Sequence, residues 1–280
     1  MFQWQNVFKG MLMGISDVIP GVSGGTIALV LGIYQRLVAA INGILSKDWK
    51  KHIAFLIPIG IGIGIAVLTF SHIMEWLLAE YPEPTFFFFL GLIIGIIPML
   101  LKEVNYKKTF KTNHYILFAI AAVLVAITVL IKENEMAAVM SELVWSDYLF
   151  LFIGGWLASS AMILPGISGS FVLLLLGLYP TVINAVSTLN ISVIMTVGFG
   201  VVIGLLLTSK LIAFLFVKYR IATYAVMIGF VAGSIVVIYP GFSSNLAITI
   251  ASIIAFLFGL LASYLLSIIE NKKLEPQTSL

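Results

Sequence analysis

Two short stretches of the sequence combine the residue types that could bind an anion. "PGVSGG" begins at Pro20 and "PGISGS" begins at Pro165. Proline removes a backbone donor and glycine removes a side chain, so peptide groups there lose their helical partners. Where a helix resumes after each break, near Thr26 or Phe171, free N–H groups and a positive dipole end suit an anion, especially phosphate. Hydroxyl groups beside these amides come from Ser23, Thr26, Ser168 and Ser170.

The same stretches allow two other interpretations. Small residues can simply let two helices pack closely in a membrane, as in small-xxx-small contacts. "GVSGG" also fits the G-x-S-x-G pattern of a serine nucleophile, and both copies resemble the serine motif of intramembrane rhomboid proteases. A serine nucleophile needs a base such as histidine. The three histidines, His52, His72 and His114, fall in expected loops or near a helix end, and one nucleophile would not need two copies.

Four charged residues fall within apolar segments, where charge is costly and usually functional. Arg36 could bind phosphate oxygens in a bidentate manner, or it could pair with Asp17 or reach the interface. Asp17 could balance Arg36, or take up a proton when substrate leaves. Lys210 lies within reach of the inner interface, which favours simple snorkelling, and Glu75 lies near the outer interface. The second copy has no charge at the positions of Asp17 and Arg36, so the expected site is asymmetric.

The elements that must position these residues lie in a membrane. Of the 280 residues, 61% are hydrophobic and only 10% are charged, whereas soluble domains average about 25% charged residues. Apolar stretches long enough to cross a bilayer recur along the chain with short polar loops between them. The chain has no cysteine, which excludes disulfides and thiol chemistry. We expect no nucleic-acid partner, no metal and no cofactor.

The chain contains an internal repeat. "IPGVSGGTIALVLGIY" from Ile19 aligns with "LPGISGSFVLLLLGLY" from Leu164 at an offset of 145 residues, and downstream matches continue at an offset of 138. Each copy has a broken hairpin followed by three long apolar segments, at about 53–79, 85–101 and 115–131 in the first and about 193–217, 221–239 and 246–269 in the second. We predict one all-α transmembrane domain over residues 1–280, with repeats at about 7–131 and 148–269. Because three crossings is an odd number, the two copies should have inverted topology.

Loop charges support this inverted arrangement. Basic loops surround Lys50 and Lys108, whereas "EYPEPT" and the central connection are acidic. Cytoplasmic loops collect Lys and Arg, so both termini are expected inside, with the first hairpin entering from the cytoplasm and the second from outside. Val7 to Ile19 gives only about 20 Å of helix before the first break, which favours a re-entrant hairpin over two full spans.

The doubled motif resembles the bacterial polyprenyl-phosphate transporter family. The similarity rests on "SDVIPGVSGGTIALVLGIY" and "LPGISGSFVLLLLGLY" and extends from about Phe8 to Ile269. It implies a multi-pass protein of the bacterial cytoplasmic membrane that returns undecaprenyl phosphate, the lipid carrier of cell-wall polymers, from the outer to the inner leaflet. Transferring the motif of the family places substrate binding at Ser16, Asp17, Pro20, Gly21, Ser23, Gly24, Gly25, Thr26, Pro165, Gly166, Ser168, Gly169 and Ser170. Arg36 and Lys210 are added because of their charge and position.

The leading hypothesis is therefore a flippase that works by alternating access and holds the phosphate between the two breaks. Its expected partners are a polyprenyl-phosphate lipid and the membrane, with proton coupling through Asp17 as an option. A small-anion channel or transporter would share the phosphate cradle, and an intramembrane serine protease has weaker support. Neither of the first two hypotheses is an enzyme.

Overall fold

The computed structural model describes residues 4–17, 23–130, 139–140 and 143–274. These ranges are helical and contain no strand. The helices are α1 (Trp4–Asp17), α2 (Gly24–Val30), α3 (Tyr34–Asn42), α4 (Trp49–Glu80), α5 (Pro82–Glu103), α6 (Tyr106–Thr109), α7 (Thr112–Ala126), α8 (Trp145–Ile163), α9 (Gly169–Leu175), α10 (Tyr179–Ser187), α11 (Ile191–Lys218), α12 (Arg220–Ile238) and α13 (Leu246–Leu274).

Seven helices in the described ranges are long and apolar enough to cross a membrane. Six of them, α4, α5, α7, α11, α12 and α13, cover the six long segments expected from the sequence, and the seventh is α8. Their outward faces expose large apolar side chains, such as Leu68 on α4 and Leu211 on α11, which suits contact with lipid. The chain is an all-α, multi-pass membrane protein, as the sequence predicts.

The helices that lead into the two breaks differ in length. α1 has 14 residues, which corresponds to about 21 Å of helix and falls short of a bilayer core. α8 has 19 residues and is among the seven candidate spans. A re-entrant course is thus best supported for the first hairpin, and it stays a prediction for both.

The helices that follow the two breaks are short. α2 and α9 each end after seven residues, and the chain then turns at Gly32 (φ 60°) and Gly177 (φ 70°), 145 residues apart. The amides of the next residues, Ile33 and Leu178, bond back to the carbonyls of Ala28 and Leu173. This is the Schellman pattern, which needs a left-handed residue and so favours glycine. The turn places Arg36 on a separate helix, α3.

α1 packs along α4, and α8 packs along α11 in a corresponding way. At Gly62 of α4 an added Cβ would overlap the backbone carbonyl of Val7, and at Gly200 of α11 it would overlap that of Phe152. Such close approach of helix backbones requires glycine. The two contacts are related by the same offsets that align the repeats in the sequence.

The remaining spans pair between the two halves of the chain. α5 packs on α13, and α12 packs on α7. Gly91 faces the carbonyl of Phe256, and Gly229 faces that of Phe118, again 138 residues apart. In each of these two pairs, a span of the first half of the chain packs against a span of the second half, and the two pairs are related by the repeat offset. The inverted topology and the repeat bounds stay predictions.

Candidate functional site

The first break brings Asp17 back to the start of α2. The Gly24 amide donates to Asp17 Oδ1 at 2.7 Å, and the Gly25 amide donates to Ser23 Oγ at 3.1 Å. The amide of Thr26 bonds to the Ser23 carbonyl at 2.8 Å. The amides expected to be free for an anion are thus bound by the protein itself in this half, because Asp17 and Ser23 act as helix caps. Two predicted site residues, Pro20 and Gly21, lie outside the described residues.

Asp17 has one oxygen that no donor satisfies. Its Oδ2 is buried and has no hydrogen-bond partner in the described part of the chain. No charged side chain pairs with it there, since the ion pairs found in those ranges are Lys51–Asp48 and Arg220–Glu103. Pairing of Asp17 with Arg36, one of the alternatives that the sequence left open, is not among these ion pairs.

The second break is more open than the first. Pro165 and Gly166 are buried, but Ser168 is half-buried and Ser170 is exposed. Their two hydroxyl oxygens lie 2.7 Å apart. Ser168 makes no capping bond to α9, and among the described residues the amides of Gly169 and Ser170 show no acceptor. This half therefore presents hydroxyl and amide donors that an anion could use.

The two breaks touch each other. The buried amide of Gly166 donates to Thr26 Oγ1 at 2.8 Å, and Ser23 Oγ donates to the Met162 carbonyl at 3.4 Å. Met162 and Ile163 end α8, so their carbonyls lack partners within that helix. The hydroxyl of Tyr34 donates to the Ile163 carbonyl at 2.9 Å. Residues about 140 positions apart in the chain thus form one hydrogen-bonded centre.

Tyr34 was not among the expected site residues, although a signal was present. It ends the repeated "GIY", and its equivalent in the second copy, Tyr179, ends "GLY". Tyr34 is 2% exposed and Tyr179 is 36% exposed. The tyrosine at this position is therefore buried in the first half and partly accessible in the second.

Arg36 lies on α3, two residues beyond Tyr34. Its side chain is exposed, and the guanidinium carbon lies 4.3 Å from the ring centre of Phe55 on α4. A cation above an aromatic face is held in place while its outer N–H groups remain available. The side chain of Gln35, the preceding residue, donates to the hydroxyl of Tyr224 at 2.7 Å, and this bond links α3 to α12.

Three further polar or charged side chains belong to α1 and α11. Lys210 is exposed on α11 beside Leu207 and Leu211, and its role at the site stays a prediction. The Ser16 hydroxyl donates to the Met13 carbonyl within α1. Lys9, which the sequence analysis omitted, reaches the Leu31 carbonyl at 3.4 Å and so lies at the end of α2.

No histidine described in the structure could act as a base for Ser23. His52 packs against Gly43, and His114 accepts a hydrogen bond from the Lys111 amide. The side chain of His72 lies outside what the structure describes. Within the described ranges no group of three or more potential ligands could hold a metal ion. The site is therefore a set of hydrogen-bond donors with nearby charge.

A cavity of about 310 Å³ adjoins the second break. It lies between α11 and α12 and reaches Leu164, the residue before Pro165. Tyr34 forms part of its wall. We call it the α11–α12 cavity.

Comparisons with known proteins agree on one family. A family model described as undecaprenyl phosphate translocase-like matches residues 13–255. A polyprenyl-phosphate transporter of Staphylococcus aureus is 43% identical over 269 residues, which cover 94% of this chain and 95% of that protein. A polyprenyl-phosphate transporter of Vibrio cholerae is 38% identical over 245 residues, which cover 83% of this chain and 76% of that protein. No solved structure matches the chain.

Proposed function

Because the chain belongs to the undecaprenyl phosphate translocase-like family, we propose that it carries undecaprenyl phosphate between the leaflets of the bacterial cytoplasmic membrane. Net movement would return the lipid from the outer leaflet to the inner one, for reuse in cell-wall polymer synthesis. The family consists of transporters, so the chain is not an enzyme. The structural observation that supports the proposal best is the contact between the two broken motifs, which meet through Thr26 and Gly166.

The second break would receive the phosphate. Ser168 and Ser170 are accessible there, and short hydrogen bonds from hydroxyl and amide groups stabilise phosphate oxygens. The first break would bind the phosphate only after Asp17 and Ser23 release the amides of Gly24 and Gly25. The two breaks would thus be ready for the phosphate in different states of the protein.

The packing of the two hairpins supports alternating access. α3 packs against α11, whereas α10 makes no comparable contact with α4 in the described structure. All seven residues of α2 are buried, but Ser170 at the start of α9 is exposed. If the halves are inverted repeats, exchanging their arrangements would bury the second hairpin and expose the first. Both termini would be cytoplasmic, and the structure would then represent the outward-accessible state.

Reconstitution in lipid vesicles tests the function directly. The purified protein should move fluorescent undecaprenyl phosphate between leaflets faster than protein-free vesicles do, and it should not conduct chloride or inorganic phosphate. Conduction of a small anion without movement of the lipid would instead favour the anion channel or transporter. Protein inactivated by heat before reconstitution is the control for leakage.

Arg36 is proposed to bind the phosphate on its way to the inner leaflet. Arg36→Ala removes charge-assisted hydrogen bonds, so the lipid concentration for half-maximal transport should rise about tenfold. Arg220→Ala is the matched control, because Arg220 is also exposed and also lies over an aromatic ring, but it pairs with Glu103. Equal transport by Arg36→Ala and the unmodified protein would remove Arg36 from the path.

The Thr26–Gly166 hydrogen bond should hold the first hairpin closed. Thr26→Val keeps the shape but leaves the buried Gly166 amide unpaired, which costs about 1–3 kcal/mol. The protein has no native cysteine, and Val38 on α3 is 1% exposed, so Val38→Cys reports opening of that hairpin. Thiol labelling at this position should rise at least about fivefold with Thr26→Val and stay unchanged with Thr26→Ser. Equal labelling in both variants would contradict the closing role.

A further inference from the structure

The wall of the α11–α12 cavity is apolar. Six side chains form most of the wall: Leu117, Ile212, Leu215, Ala222, Val226 and Phe230. Three lining residues, Tyr34, Tyr219 and Thr223, carry hydroxyl groups, but no polar atom is part of the cavity surface. Tyr34 donates to the Ile163 carbonyl, and Thr223 donates to the Tyr219 carbonyl at 2.9 Å. A water molecule would need at least two polar partners and would find none on this wall. The occupant must therefore be apolar.

The cavity lies next to the second break. Leu164 lines it and directly precedes Pro165. Phe230 lines it as well, and an added Cβ on Gly166 would lie 2.6 Å from the Phe230 carbonyl oxygen. The backbone of the break is thus in contact with a residue of the cavity wall. A chain attached to a phosphate held at the second break would therefore begin beside this cavity.

We propose that the α11–α12 cavity binds the first isoprene units of the polyprenyl chain while the phosphate is at the second break. This inference rests on the proposed function. A cavity of about 150 Å³ lined by apolar side chains accepts benzene, which has six carbons, so about 310 Å³ holds roughly twelve carbons, or two five-carbon units. The rest of the chain stays in the surrounding lipid.

Binding here would select the lipid by its tail as well as by its head. Most lining residues are branched or aromatic, and such walls have a fixed shape that fits methyl-branched units better than a straight acyl chain. Lipid outside the protein is as apolar as the cavity, so the gain must come from this fit and not from leaving water. An ordinary phospholipid, whose acyl chains lack these branches, should therefore compete poorly.

Filling the cavity tests the proposal. Ala222→Phe places a ring in the cavity, and Ala119→Phe adds the same ring to an exposed position on α7 as the matched control. Protein in nanodiscs is loaded with labelled undecaprenyl phosphate, which is then displaced by methyl phosphate or by geranyl phosphate, a two-unit chain. With the unmodified protein and Ala119→Phe, geranyl phosphate should compete at least about tenfold better than methyl phosphate. With Ala222→Phe the two should compete equally.

The outcomes separate this inference from the proposed function. A tenfold preference for geranyl phosphate that survives in Ala222→Phe would place the tail elsewhere and overturn the inference alone. Displacement by phosphatidylglycerol as effective as that by geranyl phosphate would overturn it too, since the cavity would then be a general lipid groove. No binding of undecaprenyl phosphate to the unmodified protein would overturn the proposed function. Val226→Trp fills the cavity one turn further along α12 and replaces Ala222→Phe if that variant does not fold.

Discussion

Asp17→Asn should reduce the transport of undecaprenyl phosphate at least about tenfold while leaving the fold intact. Asn keeps an oxygen that accepts the Gly24 amide, so the cap on α2 is retained. It cannot carry a negative charge or exchange a proton. The carboxylate of Asp17 has a buried oxygen without a donor in the described structure, and a charge in that position is costly unless it is compensated. We propose that proton exchange at Asp17 provides this compensation and couples transport to a proton gradient.

The measurement is the rate of lipid movement in vesicles, with and without a pH difference across the membrane. The unmodified protein should respond to that difference, and Asp17→Asn should not. Asp48→Asn is the matched control, because Asp48 is an exposed carboxylate that pairs with Lys51 at the surface. A response to the gradient that persists in Asp17→Asn would rule out Asp17 as the coupling residue.

Gly62→Ala and Gly60→Ala should change stability in opposite directions. At Gly62 an added Cβ meets the backbone carbonyl of Val7, which cannot move without shifting α1, and we expect a loss of about 2 kcal/mol. At Gly60 an added Cβ meets no atom within 4 Å. Alanine there only lowers the entropy of the unfolded chain, which should add about 0.5 kcal/mol of stability.

Thermal unfolding in detergent gives the comparison, as a lower melting temperature for Gly62→Ala and an equal or higher one for Gly60→Ala. The second half of the chain repeats the experiment. Gly200 faces the Phe152 carbonyl, whereas Gly198 faces open space. Gly200→Ala should therefore lower the melting temperature, and Gly198→Ala should leave it equal or raise it. Equal melting temperatures within either pair would show that the close contacts between α1 and α4, or between α8 and α11, do not stabilise the fold.

Much of the fold could be predicted from the sequence. The long spans follow from apolar runs of about 20 residues, because a helix of that length is required to cross the hydrocarbon. The end of α2 could have been predicted as well, since glycine after an apolar run commonly ends a helix, and Gly32 and Gly177 recur in the two copies.

The candidate site was less predictable. The sequence indicated amides free for an anion at both breaks, but Asp17 and Ser23 cap those of the first break. Asp17 lies seven residues before Gly24, and no periodic pattern indicates that its side chain folds back onto that amide. Tyr34 was not predicted as a site residue, because its hydroxyl reaches the Ile163 carbonyl only through the tertiary fold.

The sequence by itself determined that the chain crosses a membrane several times, that it contains two related broken motifs, and that hydroxyl groups and glycines accompany each break. These properties are local, since they depend on hydropathy, residue type and spacing along the chain. Only the tertiary structure decided that the two breaks touch, that one is closed and the other open, and that an apolar cavity adjoins the open one. Those properties depend on contacts such as Gly166 with Thr26, between residues 140 positions apart, and packing forces select such partners only when the helices assemble.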